Sequence, residues 1–180
     1  MAQPPDLILD MDTENKNYWV EEYGIKKETE FCNACNVLGV PLKINPNKTF
    51  DKYAPDLLYG NMLADLKYSG TPFYTSKCPQ WTVSFNHKDY VQYIENYPNI
   101  GIFLWVNYPD SYAYNVRVNR IHGIYYINFA KLADLITGGI FPSHEYKKRV
   151  NDNMGNAKSS YLIYLKHPEI KTLYESLEVT

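Results

Sequence analysis

Two aspartates and a lysine stand at a spacing that can carry phosphodiester chemistry. Pro55-Asp56 and Asp65-Leu66-Lys67 flank Gly60-Asn61, with eight residues between the two aspartates. Gly-Asn is a two-residue turn of the kind that closes a tight hairpin, and such a turn sets the register of both strands. Tyr59 then opposes Met62, Leu58 opposes Leu63, Leu57 opposes Ala64 and Asp56 opposes Asp65. Period-two alternation sends Asp56 and Leu58 to one face, together with Leu63, Asp65 and Lys67. Opposed side chains have Cβ atoms about 5 Å apart. Two carboxylates and an ammonium thus meet on one patch of an otherwise apolar sheet.

Like charges facing each other across a strand pair destabilise it. A divalent hard cation is the most economical compensation, because carboxylate oxygens are the ligands that Mg²⁺ prefers. Lys67 alone neutralises only one of the two charges. Mg²⁺, with Mn²⁺ as its substitute, would polarise a phosphoryl oxygen and lower the pKa of a water, while Lys67 would orient that water or stabilise the developing charge. The bland alternative is a solvated hairpin in which Lys67 bridges two acids, an arrangement worth little.

The elements that must position these residues follow from periodicity and punctuation. Residues 18–38 read as helix, in one piece or in two broken near Gly24, with Glu28, Phe31, Cys35 and Leu38 on one stripe. Gly39 and Pro41 stop it. Residues 42–44 form a short strand, Asn45-Pro46-Asn47 turns the chain, and strands over 53–59 and 62–68 make the hairpin. Asn86 caps a helix running to about Tyr97, and residues 100–108 form an apolar strand buried on both faces. Strands over 115–120 and 124–129 bracket His122-Gly123 as a second hairpin, and a helix over 129–136 stops at Gly138-Gly139. A basic, polar segment spans 143–159, and Pro168 splits the element that begins near Ser160. The order is that of an α/β layered fold. A single domain over residues 1–180 is expected, with an arm over 1–17, a core over 18–136 and a C-terminal extension over 140–180.

Pro55-Asp56, eight residues and then Asp65-Leu66-Lys67 resembles the signature of the PD-(D/E)xK nuclease superfamily, which includes many restriction endonucleases, resolvases and phage nucleases. The resemblance covers residues 24–108, whose element order is similar to the family's helix, three-stranded meander, helix and further strand. It implies a restriction-endonuclease-like mixed β-sheet flanked by helices, and a Mg²⁺-dependent endonuclease acting on DNA. Asp56 and Asp65 would hold the metal with the main-chain carbonyl of Leu66, and Lys67 would act on the nucleophile. Family members carry a glutamate on the first helix; Glu28 matches it best, and Glu21 could replace it. Gln80 and Gln92 are both candidates for the glutamine some relatives place near the next helix. A homodimer would suit duplex cutting. The alternative within the same resemblance is an inactive relative that binds DNA or a partner protein.

Other signals are weaker. Lys147-Lys148-Arg149 is the densest basic cluster, and with Lys77 it offers phosphate contacts, although a solvated face explains it equally well. Aromatic residues after the second hairpin strand (Tyr68, Phe73, Tyr74, Trp81) could stack on bases, but ordinary packing accounts for most of them. Cys32 and Cys35 have no second pair to complete a zinc site and read as small buried hydrophobes. The four histidines are dispersed, and no serine or cysteine sits in a nucleophile elbow.

Composition excludes the remaining classes. With 45% hydrophobic and 21% charged residues over 180 positions, the chain is neither disordered nor fibrous. Residues 1–30 hold eight acids against three lysines, and residues 31–180 hold fifteen bases against twelve acids. That balance is not one that coats nucleic acid without further specificity. The longest apolar run, residues 100–106, is too short for a membrane span, and residues 1–20 lack a basic n-region and an apolar stretch. Three cysteines suit reduced thiols in a cytoplasm. Eighteen tyrosines among many asparagines fit an AT-rich phage or mobile-element source.

Overall fold

In the computed structural model the described residues are 24–51, 53–146 and 159–179. The expected arm over 1–17, Glu21, Lys147, Lys148 and Arg149 lie outside them.

Helix α1 (Gly24–Val37) buries Glu28, Phe31, Cys32 and Cys35, which recur at three- and four-residue spacing along its inner stripe. Beyond it the Asn36 side chain pairs with both the N–H and the C=O of Leu42 at 3.1 Å, holding the start of β1 (Leu42–Ile44) against the helix. A 3-10 turn (Pro46–Thr49), β2 (Leu57–Tyr59) and β3 (Met62–Ser69) follow. Gly60 has φ +59°, as a hairpin turn with glycine first requires. Three of the four expected pairs form, Leu57↔Ala64, Leu58↔Leu63 and Tyr59↔Met62, but the expected pairing of Asp56 with Asp65 does not, because β2 begins at Leu57.

Next come β4 (Thr82–Asn86) and α2 (His87–Asn96), capped by the Asn86 side chain, which accepts from the Lys88 N–H. In β5 (Gly101–Tyr108) every residue except Asn107 is buried. Then follow β6 (Ser111–Ala113), β7 (Val116–Val118), β8 (Arg120–Asn128) and α3 (Phe129–Thr137). The described chain closes with β9 (Ser143–Glu145), β10 (Ser159–Tyr164) and β11 (Lys171–Glu178).

The main sheet has the order β1-β2-β3-β5-β8-β11, antiparallel throughout except that β5 lies parallel to β3. A three-stranded sheet, β4-β10-β9, and the β6-β7 ribbon complete the strands described. The result is a mixed α/β architecture with three α-helices among the described residues. The segment expected as a C-terminal extension supplies β10 to one sheet and β11 to the edge of the other. None of the described helices is long and apolar enough to cross a membrane.

The central strand β5 is buried on both faces, whereas the edge strand β11 is largely exposed. Under α1, Phe31 and Cys35 pack on Leu57, Ala64, Phe103 and Trp105. On the opposite face Ile102, Leu104, Val106 and Tyr108 pack against Phe85, Tyr93, Phe129 and Ile163, from α2, α3 and the smaller sheet. Alternation along β3 puts Ala64 and Leu66 with α1 and leaves Leu63, Asp65 and Lys67 on the face covered by α2.

Two strand expectations are corrected. The hairpin expected at His122-Gly123 does not exist: β8 runs through it unbroken, paired with β5 and β11. Gly123 serves close packing rather than a turn, since a Cβ there would lie 2.5 Å from Cε2 of Tyr125. The turn falls instead at Tyr114-Asn115, both with positive φ, between β6 and β7. The strand expected over 53–59 is also shorter, beginning only at Leu57.

Candidate functional site

The reason β2 starts late also builds the site. Pro55 has no N–H, so a ladder continued past Leu57–Ala64 would lack its next donor. Asn45, 2% exposed, takes the acceptors that remain: its side chain donates to the Pro55 carbonyl at 2.8 Å and its N–H to that of Asp56 at 2.9 Å. The same side chain accepts from the Asn47 N–H at 3.1 Å, capping the 3-10 turn. β2 and β3 therefore split here. Ladder alternation points the N–H and C=O of Leu66 toward the strand that has left. The Asp56 carboxylate fills part of the gap, with Oδ2 accepting from the Leu66 N–H at 3.2 Å.

Two lysines divide the carboxylates around this split. Lys48, on the 3-10 turn, places Nζ 2.5 Å from Glu28 Oε1 and 2.5 Å from Asp56 Oδ1. Lys67, on β3, lies 2.8 Å from Asp65 Oδ2 and 2.8 Å from Asp89 Oδ2, the latter in the first turn of α2. Tyr93, one helical turn after Asp89, has its ring centroid 5.5 Å from the Lys67 ammonium, and burial with the nearby Asp65 charge pushes its hydroxyl well above the ordinary range.

The electrostatics follow from burial. Glu28 and Asp65 are only 7% and 5% exposed. Burial, then the charges of Asp65 and Glu28, pushes the Asp56 carboxyl up to about 7, although Lys48 pulls the other way. Burial works against the charge on Lys48, but its bonds to Asp56 and Glu28 outweigh that and raise its pKa. Lys67 is likewise held well above the ordinary range, because Asp65, Tyr93 and Asp89 together overcome burial. Both ammoniums therefore stay charged at neutral pH. Burial, with a contribution from Glu28, pushes the Cys32 thiol up to about 11, and Cys35 rises to about 12, so both are inert apolar fillers.

With all groups ionised, four carboxylates against two ammoniums leave two negative charges uncompensated. Two carboxylate oxygens, Glu28 Oε2 and Asp65 Oδ2, are buried without a hydrogen bond. Asp65 Oδ2 has the Lys67 ammonium 2.8 Å away as its ion-pair partner, whereas Glu28 Oε2 has none. Among the described residues no three Asp, Glu, His or Cys side chains converge on one point to hold an ion by themselves. Mg²⁺ does not demand three, since it keeps several waters and is commonly held by one or two carboxylates. Asp56, Asp65 and the carbonyl of Leu66 are the hard oxygen donors suited to it, and the unpartnered Glu28 Oε2 beside them is the kind of acceptor that a water on such an ion satisfies. The donor set fits.

Glu28 and Asp56 thus share Lys48, Asp65 and Asp89 share Lys67, and the two clusters are near enough for the Asp65 charge to act on Asp56. Lys67 does not bridge the two hairpin aspartates; its second partner is Asp89 on α2. A cleft of about 220 Å³ opens on Lys67 and Asp89, walled by Ser84, Asn86, Tyr146 and Ser160. A larger cavity of about 360 Å³, between Met62 and Pro98, holds no charged side chain and lies apart from this chemistry. Lys77 is exposed in the loop before β4. Gln80 is structural, its side chain clamping the N–H and C=O of Asn119 at 2.8 and 3.1 Å. Gln92 reaches the Tyr53 carbonyl at 3.4 Å.

Sequence reasoning missed Asn45, Lys48, Asp89 and Tyr93. Asp89 and Tyr93 did carry a signal, because their four-residue spacing on a capped helix puts them on one face. Lys48 carried none. No protein-family model, curated protein or solved structure matches this chain.

Proposed function

We propose that this chain is a divalent-cation-dependent nuclease of the PD-(D/E)xK type, hydrolysing DNA phosphodiester bonds. The observation that carries the reading is an excess of buried carboxylates over ammoniums at a split between two strands, with Glu28 Oε2 left without a donor. The element order supports it too: a helix, an antiparallel three-stranded meander, a helix and a further strand follow in the order that the resemblance implies, with β4 added before the second helix.

Asp56, Asp65 and the Leu66 carbonyl would hold Mg²⁺ or Mn²⁺. When bound, such an ion polarises a phosphoryl oxygen and supplies a water of lowered pKa. Lys67, fixed between Asp65 and Asp89 and lining the cleft, keeps its proton and offers a positive charge to a phosphoryl oxygen. Glu28 Oε2, buried without a donor, is an acceptor for the attacking water. Cutting both strands of a duplex with one such site per chain calls for a homodimer.

A second reading is favoured by one specific observation. Lys48 already bridges Glu28 and Asp56, which suits an inactive protein of the same architecture that binds DNA or a protein partner.

Supercoiled plasmid with Mg²⁺ or Mn²⁺ separates the two. Nicking or linearisation that requires the metal and disappears in Asp65→Ala supports the nuclease. Absence of cleavage with either metal, together with absence of Mn²⁺ binding by calorimetry, refutes it.

A further inference from the structure

The ammonium of Lys48 sits where two carboxylates would otherwise face each other bare. It contacts Glu28 Oε1 and Asp56 Oδ1 at the same distance, 2.5 Å, from a side chain one-fifth exposed. Its position is built rather than accidental. Asn45 caps the 3-10 turn that carries Lys48 and, through the same side chain, anchors the Pro55 carbonyl beside Asp56. The turn itself is lightly held, because none of the residues Pro46–Thr49 is buried and the following Phe50 is 91% exposed. Lys48 therefore has a fixed seat and an open way out.

We propose that Lys48 is a resident competitor for the divalent cation: its ammonium neutralises Asp56 and Glu28 in the metal-free protein and must withdraw when an ion takes Asp56. The proposal rests on the metal-dependent reading above and deepens it, since it makes Lys48 the residue that sets the cation affinity of the site. The physical basis is exclusion by charge. An ammonium and a divalent ion cannot both lie against Asp56 without repelling each other at contact distance in a buried site. Metal binding therefore exchanges the charge-assisted bond between Lys48 and Asp56 for ligation. The metal-free state avoids the uncompensated carboxylate pair that would otherwise destabilise it.

The test is calorimetric titration of Mn²⁺ into the full-length chain, stripped of metal, comparing wild type with Lys48→Met and Lys48→Arg. Removing the competitor is expected to tighten Mn²⁺ binding at least tenfold in Lys48→Met, as one charge-assisted hydrogen bond no longer has to be broken. Lys48→Arg keeps the charge and should stay within a few-fold of wild type. If Lys48→Met does not fold without metal, folding on addition of Mn²⁺ is itself the expected result, and Lys48→Gln supplies the affinity. Equal or weaker binding by Lys48→Met overturns the proposal and leaves the metal-dependent reading standing. Binding by the variant alone supports the competitor and removes the nuclease reading from the wild-type chain. Binding by neither overturns both.

Discussion

Replacing Asp56 by asparagine should stabilise the metal-free protein at neutral and alkaline pH, and the gain should vanish in acid. The folded carboxyl titrates at about 7 against an ordinary 3.8. Its protonated form is favoured in the folded state, so its contribution is complete below about pH 4 and is lost as the pH rises to about 7. Moving the carboxyl from 3.8 to about 7 corresponds to about 4 kcal/mol. The Asp56 side chain is 20% exposed and loses its bond to Lys48 on the change, so ~2–4 kcal/mol is the range to expect. Asparagine retains an oxygen to accept the Leu66 N–H, so the bond holding the strand split survives the change. Urea unfolding in EDTA is the assay. Wild type should lose stability from about pH 4 to about pH 7, while Asp56→Asn loses less and leads by ~2–4 kcal/mol at about pH 8. At about pH 4 the two should agree within ~0.5 kcal/mol. A variant less stable than wild type at about pH 8 would refute the reasoning, because the Lys48 ion pair would then outweigh burial and repulsion.

Asn45→Ala removes the cap of the 3-10 turn and the anchor of Pro55 together; a loss of ~2–3 kcal/mol is expected by urea unfolding, with weaker Mn²⁺ binding because Asp56 is no longer held at the split. Gly123→Ala should cost ~1–3 kcal/mol, read as a lower melting temperature. The new Cβ would meet a Tyr125 ring that is fully buried and whose hydroxyl is tied to Glu175 at 2.7 Å.

What was legible in the sequence was local. The β2–β3 register follows from a two-residue turn, α2 from an asparagine cap and a following Pro98, and β5 from an unbroken apolar run. Each depends on neighbours a few residues apart, where turn geometry and periodicity act directly. Asp65 and Lys67 were placed together by that same hairpin, while Asp56, expected on the same patch, pairs with Lys48 instead. Glu28 needed only its stripe on α1.

Tertiary structure decided the rest. A glycine that reads as a turn became the middle of β8, because an aromatic ring two residues on lies over it and both neighbouring strands pair through it. Pro55 reads as part of a strand, yet with Asn45 claiming the Pro55 and Asp56 carbonyls it ends the ladder and opens the split. Lys48 joins Glu28 from twenty residues away and Asp56 from eight. Asp89 and Tyr93 reach β3 only because a crossover helix lies on that face of the sheet. Spacing along the chain cannot announce such pairs, since buried charges choose partners by proximity in space and by the cost of leaving a carboxylate unpaired.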